Sequence, residues 1–277
     1  MTSKNRTSAR GILPVAAILL GFAAACAPSG GGYAPTPVVI YNSNPSPLPG
    51  NVVSQGFQCC EVDEVGDQIA FAPGTPRNLQ SATVTMSDWA IRSDYPGVGD
   101  ATGWDHPLTL SVYAVGPNDL AGNPTKGSTL ATTTQVVHIP WRPEADPINC
   151  PINPTKFQST PGAPDTNCFN GLAFQVTFDL SVFNLTAPSQ VVWGLAHNTQ
   201  TRGYNPIGTP GPYNSLNVGV DGTASVGTQV NPAAAWISGG TYPYCDASLG
   251  TGVLRPDVNC GANNWAGYAP QIRFTAL

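Results

Sequence analysis

Three aspartates, Asp94, Asp100 and Asp105, lie in one glycine-rich segment of the chain and are the first candidates for chemistry. Calcium binds several oxygen ligands on a flexible backbone, so this segment is a weak candidate for a structural Ca²⁺ site. The spacing is not that of an EF-hand. The alternative is that the three carboxylates are solvated and cap turns. Apart from this possible Ca²⁺, the sequence indicates no cofactor.

Aromatic residues in or beside polar loops are the second group of candidates. In a β-sandwich, Trp and Tyr flanked by Asn, Asp and Arg stack on sugar rings or anchor a protein partner. The opposite interpretation is that the rings fold back and cover the ends of the core. Tyr242 and Tyr244 share this setting. The candidates for ligand contact are Trp104, Trp141, Tyr204, Tyr213, Trp236 and Trp265.

Catalytic motifs are lacking in the sequence. It contains no GxSxG elbow, HExxH helix or Walker loop. The three histidines are His106, His138 and His197, and those at strand ends are expected to be structural. A glycosidase pair built from aspartates is possible, but no spacing selects one. We therefore predict no catalytic residue, and a hydrolase remains an alternative.

The first 25 residues have the pattern of an export signal. Basic residues precede an apolar core at 12–22, and three alanines lead to Cys26. Ala-Ala-Ala-Cys resembles the lipobox of bacterial lipoproteins, in which this cysteine is lipidated, and residues 26–49 would form a flexible tether that ends in an edge strand at 38–41. Ordinary cleavage after Ala25 or Ala27, giving free secretion, is the alternative.

The cysteine count agrees with export. Without Cys26 the seven cysteines become six, an even set that can pair in an oxidising compartment. Cys150 with Cys168, and Cys245 with Cys260, would be the simplest local pairs. Cys59 and Cys60 are adjacent, which leaves a strained vicinal bridge, two long-range bridges or two free thiols. Six cysteines allow 15 pairings, so the sequence alone does not determine the map.

The chain between these residues has the pattern of short strands. Leu172 to Leu180 alternates apolar and polar residues, as does 108–114, whereas 190–197 is apolar on both faces. Gly and Pro recur throughout, so helices are disfavoured. We predict an all-β domain at 50–277, an antiparallel two-sheet β-sandwich or jelly roll of about nine or ten strands. The polar loop at 199–217 is the part that core packing does not explain.

Charge excludes one class of partner. Of 11 basic and 16 acidic residues, three basic ones precede Cys26, so the rest of the chain holds 8 basic and 16 acidic residues and a net charge of −8. Binding of nucleic acid begins with a basic patch, and this chain has none in its sequence. No nucleic-acid partner is therefore expected.

Three segments together resemble a group of exported bacterial β-sandwich domains with no assigned function: HIPWRPEADPINC (138–150), CFNGLAFQVTFDLS (168–181) and RGYNPIGTPGPYNSLNVGV (202–220). The resemblance covers roughly 51–277. It implies that Cys150 and Cys168 form a bridge and that the loop at 204–217 is characteristic. It supplies no catalytic residue.

These observations favour an exported, lipid-anchored module of the cell surface or envelope without enzymatic activity. Its partner would be a glycan or a surface protein, and its contact with the membrane would be the lipid on Cys26. The alternatives are a secreted carbohydrate-active hydrolase on a β-sandwich and a calcium-stabilised adhesion module.

Overall fold

The computed structural model describes residues 35–119, 122–231, 235–239, 244, 252–257 and 267–277. Pro35–Leu277 forms one compact unit. Its first strand begins at Val38, so the compact unit starts before residue 50, the boundary predicted from composition. The segment at 38–42 is an edge strand, as the sequence indicated, and it pairs with the last strand of the chain.

The described residues form 15 strands and four short 3₁₀ helices. Most of the excess over the predicted nine or ten strands comes from four strands of two residues each in the long loops. The strands are β1 Val38–Asn42, β2 Ser54–Gly56, β3 Val62–Ala70, β4 Leu79–Asp88, β5 Gly103–Asn118, β6 Pro124–Pro140, β7 Phe157–Gln158, β8 Cys168–Phe169, β9 Leu172–Asp179, β10 Gln190–Ala196, β11 Leu216–Gly219, β12 Thr228–Gln229, β13 Trp236–Gly239, β14 Arg255–Pro256 and β15 Ile272–Ala276. The 3₁₀ helices are Gln58–Cys60, Arg92–Asp94, Ser181–Phe183 and Pro212–Ser215.

Two antiparallel sheets contain nearly all of these strands. The first has the order β1-β15-β4-β11-β2, with β9 also paired to β4. The second has the order β14-β13-β3-β10-β5-β6, with β12 also on β3. One sheet is strongly curled. The predicted all-β, antiparallel sandwich is confirmed.

The core lies between the two sheets and follows the predicted alternation. On β9 and just beyond it, Val176, Phe178 and Leu180 are buried, while the residues between them are exposed. Side chains of both sheets join one apolar cluster, as expected for two sheets packed face to face.

Strand β10 is buried on both faces, as its sequence indicated. The two faces pack differently: Val191, Trp193 and Leu195 join the main core, whereas Val192 packs with Trp236 on the other face of the second sheet. A second, smaller layer therefore covers this outer face.

Candidate functional site

The structure corrects the prediction for three of the aromatic candidates, because Trp104, Trp141 and Trp236 are buried. The indole Nε1 of Trp104 donates to Asp88 Oδ2 at 3.3 Å, and that of Trp141 donates to the carbonyl oxygen of Asp100 at 3.0 Å. Polar groups inside the fold therefore satisfy both rings, as expected for buried Trp. These rings have folded back into the protein and present no face to a ligand.

The other three aromatic candidates have different positions. Tyr204 is exposed, and its hydroxyl reaches Glu64. Tyr213 is half-buried and stacks on the ring of His106, with the centroids 5.3 Å apart. Trp265 lies outside the described residues. The two tyrosines therefore contact different residues and do not form one aromatic platform.

Two of the three aspartates of the calcium candidate, Asp100 and Asp105, line one cleft with His138. Asp100 Oδ1 accepts hydrogen bonds from the side chain and backbone of Thr102 and from the N–H of Gly103, and these lower the pKa of Asp100 to about 2. Asp105 binds His138, and Asp94 lies in a 3₁₀ helix. Among the described residues, no three His, Cys, Asp or Glu side chains are grouped to hold a metal ion.

His138 lies between a carboxylate and a hydroxyl, in a cleft of about 360 Å³. Its Nδ1 is 2.8 Å from Asp105 Oδ1, and its Nε2 is 2.9 Å from Thr102 Oγ1. This order of groups resembles that of a nucleophilic triad. However, the Thr102 hydroxyl donates its single hydrogen to Asp100 Oδ1 at 2.6 Å and not to His138 Nε2. A hydroxyl in this state is not activated for attack, and the cluster holds the loop against β6.

His106 and His197 are buried together, with their rings edge to face at 5.5 Å. Burial lowers the pKa of His106 to about 4 and that of His197 to about 3. Phe57 lies over His197 with the ring centroids 4.2 Å apart. Both rings are enclosed by aromatic side chains and are neutral at neutral pH, which is a structural role.

The loop at 199–217 is held by the short segment Gln58–Glu64, which includes the start of β3. Thr199 is fully buried, although its neighbours in the loop are polar. The loop therefore has a defined position against β3. The contacts are Thr199 with Gln58, Arg202 with Glu61, Gly203 with Asp63, and Tyr204 with Glu64.

Glu64 is the buried centre of this attachment, with 1% of its surface exposed. Tyr113 donates its hydroxyl hydrogen to Oε1 at 2.7 Å, Tyr204 donates to Oε2 at 2.8 Å, and Lys126 Nζ lies 3.4 Å from Oε2. A buried charge needs such partners to offset its desolvation. Gly194 on β10 leaves room for this carboxylate, because a Cβ there would overlap Oε1.

The end of the same loop forms one wall of a cleft of about 610 Å³. Trp89, with 41% of its surface exposed, and Tyr244 supply the aromatic rings. Trp89 Nε1 donates to Ser87 Oγ at 3.0 Å, and Tyr244 donates its hydroxyl hydrogen to the carbonyl oxygen of Gly56 at 2.9 Å. The described lining residues are Ser54, Gly56, Cys59, Cys60, Trp89, Asn214, Ser215, Asn217 and Tyr244.

Aromatic, amide, hydroxyl and thiol groups line this cleft. None of its described lining residues is Asp, Glu, Lys, Arg or His. Amide and hydroxyl groups surround the rings, and Asn217 Nδ2 donates to Ser54 Oγ at 3.1 Å, which fixes the wall against β2. Such a surface suits an uncharged ligand with many hydroxyl groups. Trp89 was not a candidate from the sequence, although it directly follows the alternating strand β4.

A second cleft, of about 580 Å³, lies near the disulfide and is less suited to specific binding. Its polar side chains are occupied: Gln158 Nε2 donates to the carbonyl oxygens of Ala163 and Thr166, and Asn167 Nδ2 donates to Thr160 Oγ1. The Cys150–Cys168 bridge closes the loop beside it, which confirms that predicted pair. Cys245 and Cys260 lie outside the described residues, as does Cys26.

No family model, curated protein or solved structure matches the chain. The cleft around Trp89 is the feature of the described residues that best fits a binding function. Within the described residues, no helix has the length and apolar character needed to cross a membrane.

Proposed function

We propose that this protein is an exported, non-enzymatic surface module that binds a neutral glycan in the cleft around Trp89. The observation that carries the proposal is the exposed indole of Trp89, held in place by its hydrogen bond to Ser87 at the edge of a cleft lined by aromatic, amide, hydroxyl and thiol groups. An exposed Trp leaves a large apolar surface in contact with water, which is unfavourable for the folded protein. The fixed orientation of the Trp89 indole suits this ring for stacking on a sugar ring.

The size and lining of the cleft support this class of ligand. Ligand-binding clefts typically enclose about 300–1,000 Å³, and this one is about 610 Å³. Asn217 and Ser54 lie on its wall, where their polar atoms can hydrogen-bond to sugar hydroxyls. None of its described lining residues is Lys, Arg or His, so no cation is present to pair with an acidic sugar, and a neutral sugar is favoured.

The location of the module follows from its N-terminal sequence. Residues 1–25 would direct export, and lipid on Cys26 would anchor the chain to the envelope. The test is to compare wild type with Cys26→Ala by detergent partition and by mass spectrometry of the mature N-terminus. We expect wild type to carry the added mass of a diacylglyceryl group and to partition into detergent. The Cys26→Ala variant should show neither property. An unmodified wild-type N-terminus would refute the anchor and leave free secretion.

Glycan binding is tested by screening the full chain against immobilised neutral and acidic polysaccharides, in parallel with Trp89→Ala. We expect a restricted set of neutral glycans to bind wild type and to lose binding to the variant. Binding of no glycan, or of the same set by both proteins, would overturn the proposal.

The second candidate function is a hydrolase that uses His138 and Asp105 for acid–base chemistry, because these two side chains face each other in a cleft. It is tested by incubating the chain with the glycans that it binds and measuring released reducing ends. If wild type releases reducing ends and His138→Asn does not, the protein is a hydrolase and the non-enzymatic proposal is wrong. We expect no release.

A further inference from the structure

Two neighbouring thiols lie in the glycan cleft but take no part in the proposed sugar contact. Cys59 and Cys60 end the 3₁₀ helix Gln58–Cys60, and the chain then turns at Glu61, which has a positive φ of 56°. Cys59 is exposed and Cys60 is half-buried, and both line the cleft. Both are free cysteines.

The geometry of the chain disfavours a disulfide between these two sulfurs. Consecutive Cα atoms are about 3.8 Å apart, whereas a relaxed disulfide needs about 4.4 Å or more. Cys150 and Cys168 are already bonded to each other. Closing the Cys59–Cys60 bridge would strain the turn, and both residues are free cysteines in the structure.

The immediate surroundings make one of the two sulfurs a good ligand. The hydrogen bond from Cys60 lowers the pKa of Cys59 to about 6, against the opposing effect of burial, while the same interaction raises the pKa of Cys60. Tyr244 Oη lies 3.7 Å from Cys59 Sγ. The hydrogen bond from Cys60 therefore favours the thiolate of Cys59, the form that binds metals.

We propose that Cys59 and Cys60 form a two-coordinate site for a soft monovalent metal ion, with Cu(I) as its type. Thiolate ligands select soft ions such as Cu(I). Zinc requires about four ligands, and no third His, Cys, Asp or Glu side chain of the described residues joins the pair. A metal ion that is stable with two sulfur ligands, such as Cu(I), therefore fits this pair of cysteines.

The binding step involves no change of oxidation state. The Cys59 thiolate and the Cys60 thiol each form one S–Cu bond, the S–H bond of Cys60 breaks, and its proton passes to water. Cu(I) remains Cu(I), and the site changes from one negative charge and a thiol to a dithiolate complex with one negative charge. This function is independent of glycan binding, since it uses the sulfurs and not the indole of Trp89.

The test measures Cu(I) binding without oxygen, by competition of the full chain with the chromophoric chelator bicinchoninate. In a background with Cys26, Cys245 and Cys260 replaced by serine, we expect one Cu(I) per chain. Cys59→Ser and Cys60→Ser should each weaken binding at least 10-fold, because one thiolate cannot replace two. Trp89→Ala is the matched control: it lines the same cleft, carries no sulfur and should bind Cu(I) as the background does.

Three results would overturn the proposal. The first is failure of the background to bind Cu(I), and the second is unchanged binding by the Cys59→Ser/Cys60→Ser double variant. The third is peptide mapping of the isolated protein that finds Cys59 or Cys60 in a disulfide. The same single variants made in the otherwise unchanged chain keep the test decisive if the serine background does not fold. Loss of glycan binding in Trp89→Ala with Cu(I) binding intact separates the two functions.

Discussion

The hydroxyl of Tyr204 donates to the buried carboxylate of Glu64 at 2.8 Å, although 57% of the tyrosine surface is exposed. The two residues are 140 positions apart in the chain. The contact joins a polar surface loop to the inside of β3. It explains why a loop so rich in Gly, Pro and Asn has a fixed position, and why its far end can serve as a wall of the cleft.

Tyr204→Phe should destabilise the protein by about 1 kcal/mol, the typical net contribution of one hydrogen bond, with some added cost because the acceptor is a buried carboxylate. The free energy of unfolding in urea gives the magnitude, and hydrogen exchange should show faster opening of the loop at 199–217. Tyr95→Phe is the control, since its ring stacks on Trp141 away from Glu64. Equal stability of Tyr204→Phe and wild type would contradict this account of the loop.

Acid should destabilise the fold through His106. Burial holds its pKa at about 4 in the folded protein, against an ordinary value of 6.5 in the unfolded chain, so between these values the unfolded chain binds more protons. The stability that depends on His106 is complete above pH 6.5 and decreases as the pH falls toward 4. The contribution of His106 should be about 2 kcal/mol lower at pH 5 than at pH 7.

His106→Gln isolates this effect, because glutamine cannot be protonated and keeps a donor for the carbonyl oxygen of Asn198. The variant should lose about 2 kcal/mol less than wild type between pH 7 and pH 5. The comparison is necessary because burial raises the pKa of Asp88 to about 7, which acts in the opposite direction over the same range. Parallel pH profiles of the two proteins would contradict the prediction.

Replacing Cys150 and Cys168 together by alanine should lower the free energy of unfolding by about 3 kcal/mol, because the unfolded chain regains the freedom of a loop of this length. The two cysteines are 18 positions apart. Denaturation with and without reductant provides the check: the reductant should destabilise wild type by about 3 kcal/mol more than it destabilises the double variant. Insensitivity of wild type to the reductant would argue against the bridge.

Gly171→Ala should displace Trp89, since a Cβ at position 171 would lie 2.5 Å from the indole Nε1 and would also crowd Ser87. The fold should persist, because the glycine precedes β9 and the nearest atoms that a Cβ would meet belong to the side chains of Ser87 and Trp89 and not to the backbone. We expect glycan binding at least several-fold weaker, with a far-UV circular dichroism spectrum like that of wild type. Full binding by this variant would indicate that the position of Trp89 does not determine affinity.

The fold was accessible from the sequence where local patterns decide it. The alternation along β9, the two apolar faces of β10 and the Cys150–Cys168 pair all depend on residues near one another in the chain. The contacts of the loop were not accessible, because residues far away in sequence determine them. Glu61, Asp63 and Glu64 have the pattern of an acidic linker between strands, whereas they anchor the loop.

The burial of Trp104 is indicated by the local sequence pattern, although Trp104 was predicted to contact a ligand. The alternation of Leu108 and Leu110 continues back through His106 to Trp104, all buried on one face of β5. Pro107 interrupts the run and favours a loop interpretation, because proline rarely lies within a strand. In the structure it occupies an exposed position of β5 opposite Val136, so the strand passes through it.

The claim that Trp89 holds the glycan is tested most directly by isothermal titration calorimetry. A neutral glycan that wild type binds in the screen is titrated into wild type, Trp89→Ala and Phe183→Ala. Phe183 is an exposed aromatic residue that does not line the cleft. The proposal predicts that Trp89→Ala weakens binding at least 10-fold, about 1.4 kcal/mol, and that Phe183→Ala leaves the Kd unchanged. Equal affinity of wild type and Trp89→Ala would contradict it.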